Sequence, residues 1–206
     1  LKYLGLDPKK AIREFKNLGL SWIRLSVYWD ETESKRGVLN FSTIEPLIKY
    51  CEKNNIKVVL TVGMKAQRYP EYYLPMWLKN KVKTDLTKKI TVNQNGELLT
   101  CTLSFIQKTV NHLKKYKCIN VWQVENEPLD SSGENWWRLD EKFLRSEVEL
   151  VRKLDPKRKI LINLWGNELS IRKVCKQAIK LSDIVGFDIY LRHPISFWKL
   201  FTKYIG

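Results

Sequence analysis

The sequence predicts an α/β protein in which strands and helices alternate. Three observations point there. Apolar residues switch repeatedly between β-branched runs and helical spacing; turn and cap residues punctuate each switch; and the strand-like run Ile119-Asn120-Val121-Trp122-Gln123-Val124 stops in Glu125-Asn126-Glu127-Pro128. Alternation of this kind gives parallel strands joined by helices. One helix followed by five βα units suits an open doubly wound sheet or part of an eight-stranded barrel, and periodicity does not choose between them. A doubly wound nucleotide binder needs a glycine-rich phosphate loop after an early strand. The turn after Trp29 has no such glycines, and no GxxxxGK[ST] occurs.

Taken in order, Asp7-Pro8 is an N-cap followed by a proline at the first helical position, and Ile12, Phe15 and Leu18 make an apolar face that Gly19 closes. Trp22 to Trp29 is strand-like, and Asp30 to Asn40 is a polar loop. Ser42 and Glu45 form a capping box ahead of a helix carrying Ile44, Leu47, Ile48 and Cys51. Ile56 to Val62 is β-branched, as strands buried on both faces are. The segment from Gly63 to about Leu99, with Pro70, Pro75 and Asn95-Gly96, is a loop long enough to expect a function. Leu103, Ile106, Val110 and Leu113 mark the next helix, and Leu144, Val148 and Val151 the one after the central strand. Lys159 to Trp165 is a strand, Ser170 caps a helix with Val174, Ala178 and Leu181, Ile184 to Tyr190 is a strand, and Ser196 to Tyr204 is expected to be helical. No linker or internal repeat divides the chain, so residues 1–206 read as a single domain.

Composition narrows the function. The formal net charge is +15, from 37 Lys and Arg against 22 Asp and Glu, yet the basic residues spread over most helices and mix with Glu. That is a solvated lysine-rich exterior, not a nucleic-acid stripe. No run is long enough to span a bilayer. Cys51, Cys101, Cys118 and Cys175 have no CxxC spacing and His112 and His193 are the only histidines, so no zinc site, redox pair or other cofactor is expected. Cys51 and Cys175 fall on apolar helix faces, which leans towards a reducing compartment.

In a parallel sheet the C-terminal strand ends share one edge, where α/β proteins do their chemistry. That edge would collect Arg24, Ser26, Tyr28 and Trp29; Lys65, Gln67 and Arg68; Glu125, Asn126 and Glu127; Trp165, Asn167 and Glu168; and Asp188, Tyr190, Arg192 and His193. Carboxylates are rarely buried unless paired, so glutamates delivered by an apolar strand call for a role. A carboxyl desolvated among aromatic rings is pushed towards its acid form, while a guanidinium holds another ionised; two carboxyls tuned apart are what glycosidic bond cleavage requires. Trp29, Tyr69, Tyr72, Tyr73, Trp77, Trp136, Trp137 and Trp165 supply flat rings of the kind that stack on sugars, although most such rings serve packing.

Val124-Glu125-Asn126-Glu127-Pro128 resembles the Asn-Glu-Pro signature at the end of the fourth strand in clan-A glycoside hydrolases, the (β/α)8 TIM-barrel cellulases, β-mannanases and β-galactosidases. Gln123-Val124-Glu125-Asn126-Glu127 is similar to the β-galactosidase branch. Ile23 to Trp29, with Arg24, resembles the second strand; Arg36 to Phe41 the turn before the second outer helix; Ile56 to Leu60 the third strand; and Gly186-Phe187-Asp188-Ile189-Tyr190 the sixth strand with its terminal tyrosine. The resemblance implies an incomplete barrel of about strands 2–6. It implies a retaining β-glycosidase with Glu127 as general acid/base, Asn126 on the sugar 2-hydroxyl, Arg24 orienting the nucleophile and Tyr190 beside it, with Trp29 and Trp165 touching sugar. The partner is then a carbohydrate, and the mechanism needs no metal. The family's nucleophile is a second glutamate on the seventh strand, which these residues do not match; with Leu1 in place of a Met, the expectation is a fragment of a longer glycosidase. The alternative is a non-catalytic carbohydrate-binding barrel that keeps the aromatic cleft.

Overall fold

A computed structural model describes residues 5–165, 171–188, 193–197 and 201–205. Five strands form one parallel sheet in the order β1-β2-β4-β6-β7: β1 (Trp22–Ser26), β2 (Lys57–Val62), β4 (Ile119–Val124), β6 (Lys159–Trp165) and β7 (Ile184–Asp188). The order never reverses. A doubly wound sheet turns back at a switch point, whereas same-handed crossovers in a monotonic order put every helix on one face and curl the sheet. Strand order thus decides for the partial barrel over the open sheet.

The outer layer comprises α1 (Pro8–Asn17), α3 (Glu45–Lys53), α5 (Gly96–Leu113), α6 (Glu141–Leu154) and α7 (Ile171–Leu181), and shorter pieces lie in the loops: α2 (Trp29–Thr32), α4 (Met76–Lys79), and β3 (Lys89–Ile90) paired in parallel with β5 (Arg138–Leu139). Asp7 caps α1 as expected, accepting from the Lys10 amide at 2.6 Å. The face predicted for that helix is only partly used: Ile12 is buried, while Phe15 and Leu18 are exposed. The capping box does not form. Helix α3 starts one residue beyond Ile44 with no side-chain cap, because Glu45 is drawn instead to Tyr116, Lys115 and Lys49. Helix α5 buries Leu98, Phe105, Ile106, Val110 and Leu113 against the sheet and α6 buries Phe143, Leu144, Val148 and Val151, each fully buried side chain of this size contributing about 1.5–3 kcal/mol.

Strands β4 and β6 match the predicted spans; β1 stops at Ser26 because the chain turns into α2 at Trp29. The helix expected over Ser196 to Tyr204 is replaced by an antiparallel pair, β8 (His193–Phe197) and β9 (Phe201–Ile205). Its β-branched and aromatic residues fit strands at least as well as a helix. Ser170 lies outside the described residues. No helix among the described residues is long and apolar enough to cross a membrane.

Candidate active site

The edge formed by the C-terminal strand ends is built around the turn after β4. Glu125 (φ 62°) and Glu127 (φ 44°) both adopt left-handed backbone, which costs a side-chain-bearing residue about 1–3 kcal/mol and persists only where the surroundings impose it. Three hydrogen bonds do so: the Glu125 amide donates to the Val62 carbonyl (2.9 Å), the Asn126 amide to the Lys65 carbonyl (2.8 Å) and the Glu127 amide to Asn163 Oδ1 (2.9 Å). The Glu125 carboxyl is fully buried and accepts from the backbone amides of Met64 (2.9 Å) and Lys65. Gly63 makes room for it. A Cβ at Gly63 would lie 2.2 Å from Glu125 Oε1, and its φ of +121° is a conformation only glycine adopts freely.

Lys65 is also fully buried. Its Nζ donates to the carbonyls of Glu127 (2.6 Å) and Asp130 (3.1 Å) and stands 3.6 Å from Glu71 Oε2. Burial pulls its pKa down, against the pull of Glu71, Glu127, Asp130 and Glu125. Sequence reading placed Lys65 on this edge without a role; here it clamps the turn.

Glu127 is nearly buried, and its carboxyl is within hydrogen-bonding reach of Asp188 at the end of β7. Burial, more than Lys65 can offset, together with the Asp188 carboxylate raises its pKa to about 8. Asp188 accepts from both terminal guanidinium nitrogens of Arg24, the shorter of these contacts being 3.1 Å, and from Asn163 Nδ2 at 2.9 Å. Asn163 also donates to Asn126 Oδ1 (3.0 Å), while its own Oδ1 accepts from Gln123 Nε2 (2.9 Å) and the Glu127 amide. One buried asparagine therefore ties together three strand ends. Glu127 Oε1 meets no donor among the described residues.

Of the predicted site residues, Glu127, Asn126 and Arg24 meet in this network. Arg24 pairs with the Asp188 carboxylate at 3.1 Å. Trp29 is a correction: it is fully buried, donates from Nε1 to Glu33 (2.8 Å) and stacks on Phe105 at 4.9 Å, so it is core and has no face to offer a sugar. Trp165 closes β6, its amide donating to Asp130 Oδ2 at 3.0 Å, and its ring lines a cleft of about 800 Å³ with the exposed Trp136 and with Arg138. Tyr190 lies outside the described residues. Sequence reasoning missed Asn163 and Gly63. The signal for Asn163 was present, since Asn163 and Gln123 are polar residues inside strands otherwise reading as buried.

The sequence profile of the cellulase family (glycosyl hydrolase family 5) matches residues 4–181. Endo-1,4-beta-xylanase C of Phanerodontia chrysosporium is 24% identical over 182 residues, covering 81% of this chain and 41% of its own length. Among solved structures, a beta-galactosidase from the haloarchaeon Halorubrum lacusprofundi superposes with a TM-score of 0.66 at 12% identity, over 88% of this chain and 37% of that one. Xylanase 10B from Thermotoga petrophila superposes with a TM-score of 0.62 at 19% identity, over 90% and 56%. The chain thus spans well under two thirds of the length of these relatives, and the structural likenesses, all below 25% identity, bear on fold.

Proposed function

The chain belongs to the cellulase family, glycosyl hydrolase family 5, and from that premise we propose that it forms the central part of a retaining glycoside hydrolase acting on β-linked polysaccharide, with Glu127 as the general acid/base. The observation that carries this reading is the buried Glu127 carboxyl beside Asp188. It is a desolvated acid, raised to about 8, at the C-terminal edge of a parallel sheet and beside the carboxylate that Arg24 holds. An acid still protonated at neutral pH delivers its proton to a leaving glycosidic oxygen. Asn126, anchored by Asn163, would hydrogen-bond the sugar 2-hydroxyl, and Trp165 would contact the sugar ring. Tyr190 keeps its assignment beside the nucleophile as part of this proposal.

Asp188 does not suit the nucleophile's role. Retaining chemistry sets the two carboxyls about 5–5.5 Å apart, and Asp188 is already in hydrogen-bonding reach of Glu127. Its position fits a group that keeps the proton on Glu127. That same closeness supports the second reading, a non-catalytic carbohydrate-binding barrel. Hydrolysis of cellulose- and xylan-type oligosaccharides by the full protein and its Glu127→Gln variant separates the two. Turnover by the wild type that Glu127→Gln abolishes is expected; full activity in the variant removes Glu127 from the role, and sugar binding without turnover in the wild type favours the binding barrel.

A further inference from the structure

Glu147 sits in the middle of α6 with no exposed surface, among Phe143, Leu144, Val148 and Val151 of the same apolar face. Neither of its carboxyl oxygens meets an N–H or O–H donor among the described residues. A bare carboxylate so placed is strongly disfavoured, and a buried polar atom with no partner calls for an explanation. The group within its hydrogen-bonding reach is the Glu125 carboxyl, also fully buried. Two carboxyls in such contact need a proton between them. Glu125 already accepts from the Met64 and Lys65 amides, and Lys65 lies close enough to favour its charge. Glu125 is therefore the acceptor and Glu147 the donor. The other titratable groups that interact with the pair come from the loop after β2: Lys65, and Tyr72, whose buried hydroxyl has no partner among the described residues. Burial drives the Glu147 carboxyl well above the carboxylate range, and Glu125 adds to the rise.

We propose that Glu147 is a positioning residue for Glu127: as a neutral acid it donates a hydrogen bond to Glu125, Glu125 fixes the Met64 and Lys65 amides, and Lys65 holds the carbonyl of Glu127. The helix layer thereby sets the geometry of the strand edge through a chain of hydrogen bonds, each link of which is buried. The significance for catalysis rests on the acid/base reading of Glu127; the hydrogen-bond chain itself does not.

Two measurements on the full chain test it, neither using turnover, so their failure is separate from failure of the Glu127→Gln assay. Isotope-edited infrared spectra at neutral pH should show a protonated carboxyl band that Glu147→Gln removes. Its absence from the wild type, or a protonated-carboxyl signal that Glu147→Gln leaves unchanged, overturns the proposal. Hydrogen exchange at the Met64, Lys65 and Glu127 amides should quicken about tenfold in Glu147→Leu, which lacks a donor, and stay within about twofold of wild type in Glu147→Gln, which keeps one. Exchange in Glu147→Leu that matches wild type, or in Glu147→Gln as fast as in Glu147→Leu, overturns it. If Glu147→Leu does not fold, the infrared band and the exchange of Glu147→Gln decide alone, slow exchange supporting the proposal and fast exchange refuting it.

Discussion

Glu125 and Glu127 stand two residues apart on one turn, both in left-handed backbone and both buried, yet their surroundings differ. Burial raises both pKa values, to about 7 and about 8. The difference lies in their partners. Glu125 takes two backbone amides, fits the space that Gly63 leaves and meets Glu147, so its hydrogen-bonding capacity is spent inside the protein. Glu127 faces one carboxylate, and one of its oxygens meets no donor among the described residues. Desolvation alone therefore does not mark a residue as functional. What separates the two carboxyls is the set of partners around each, since both are buried.

The sharpest break in this comparison is Glu127→Gln. It should lower glycoside turnover by about 100-fold or more, the usual worth of a general acid. The fold should survive, because the backbone bonds of Glu127 do not involve the carboxyl. Circular dichroism alongside the assay separates loss of chemistry from loss of structure. Next in size, Gly63→Ala should destabilise the fold by about 1–3 kcal/mol, since it combines a forbidden backbone conformation with a collision against the Glu125 carboxyl. A denaturation midpoint equal to wild type would show that Glu125 has another place to go and is not a strut.

The pH response sharpens the contrast further. Both glutamates have folded pKa values above the ordinary 4.5, so the stability they contribute is complete at pH values below that and is lost as pH rises through about 7 and about 8. Urea midpoints should therefore fall between weakly acidic and weakly alkaline pH, and Glu127→Gln should flatten the upper part of that decline. Asp188→Asn removes the neighbouring negative charge and should move the Glu127 titration downward, read from the alkaline limb of a pH–rate profile or by NMR. The smallest expected effect is Trp29→Phe. It should cost about 1 kcal/mol for the hydrogen bond to Glu33 and leave sugar affinity unchanged, because the ring is core.

Much of this site was legible in the residues. The β4 run and its abrupt polar ending marked Glu127 and Asn126, because an apolar strand that terminates in charges has few purely structural explanations. Arg24 was found by the resemblance of its strand. Trp29 was misplaced because an aromatic at a strand end looks the same whether it turns outward or, as here, starts a helical turn and drops into the core beside Phe105. Glu147 was passed over because a glutamate within an amphipathic helix reads as part of its polar face, and only its rotation against β4 shows otherwise.

Alternating apolar periods, caps such as Asp7 and the polar end of β4 are local properties, so the sequence by itself determined the α/β class, most strand spans and the identity of the acid-bearing turn. Strand order is a matter of which apolar surfaces meet across long separations, and only the tertiary structure decided that β1, β2, β4, β6 and β7 run in sequence and curl as a partial barrel. The same holds for charge. Whether a carboxyl is an acid, a carboxylate or a strut depends on the dielectric and donors around it, and those come from Gly63, Lys65, Glu147, Asn163 and Asp188, residues distant in the chain that folding alone brings to the turn after β4.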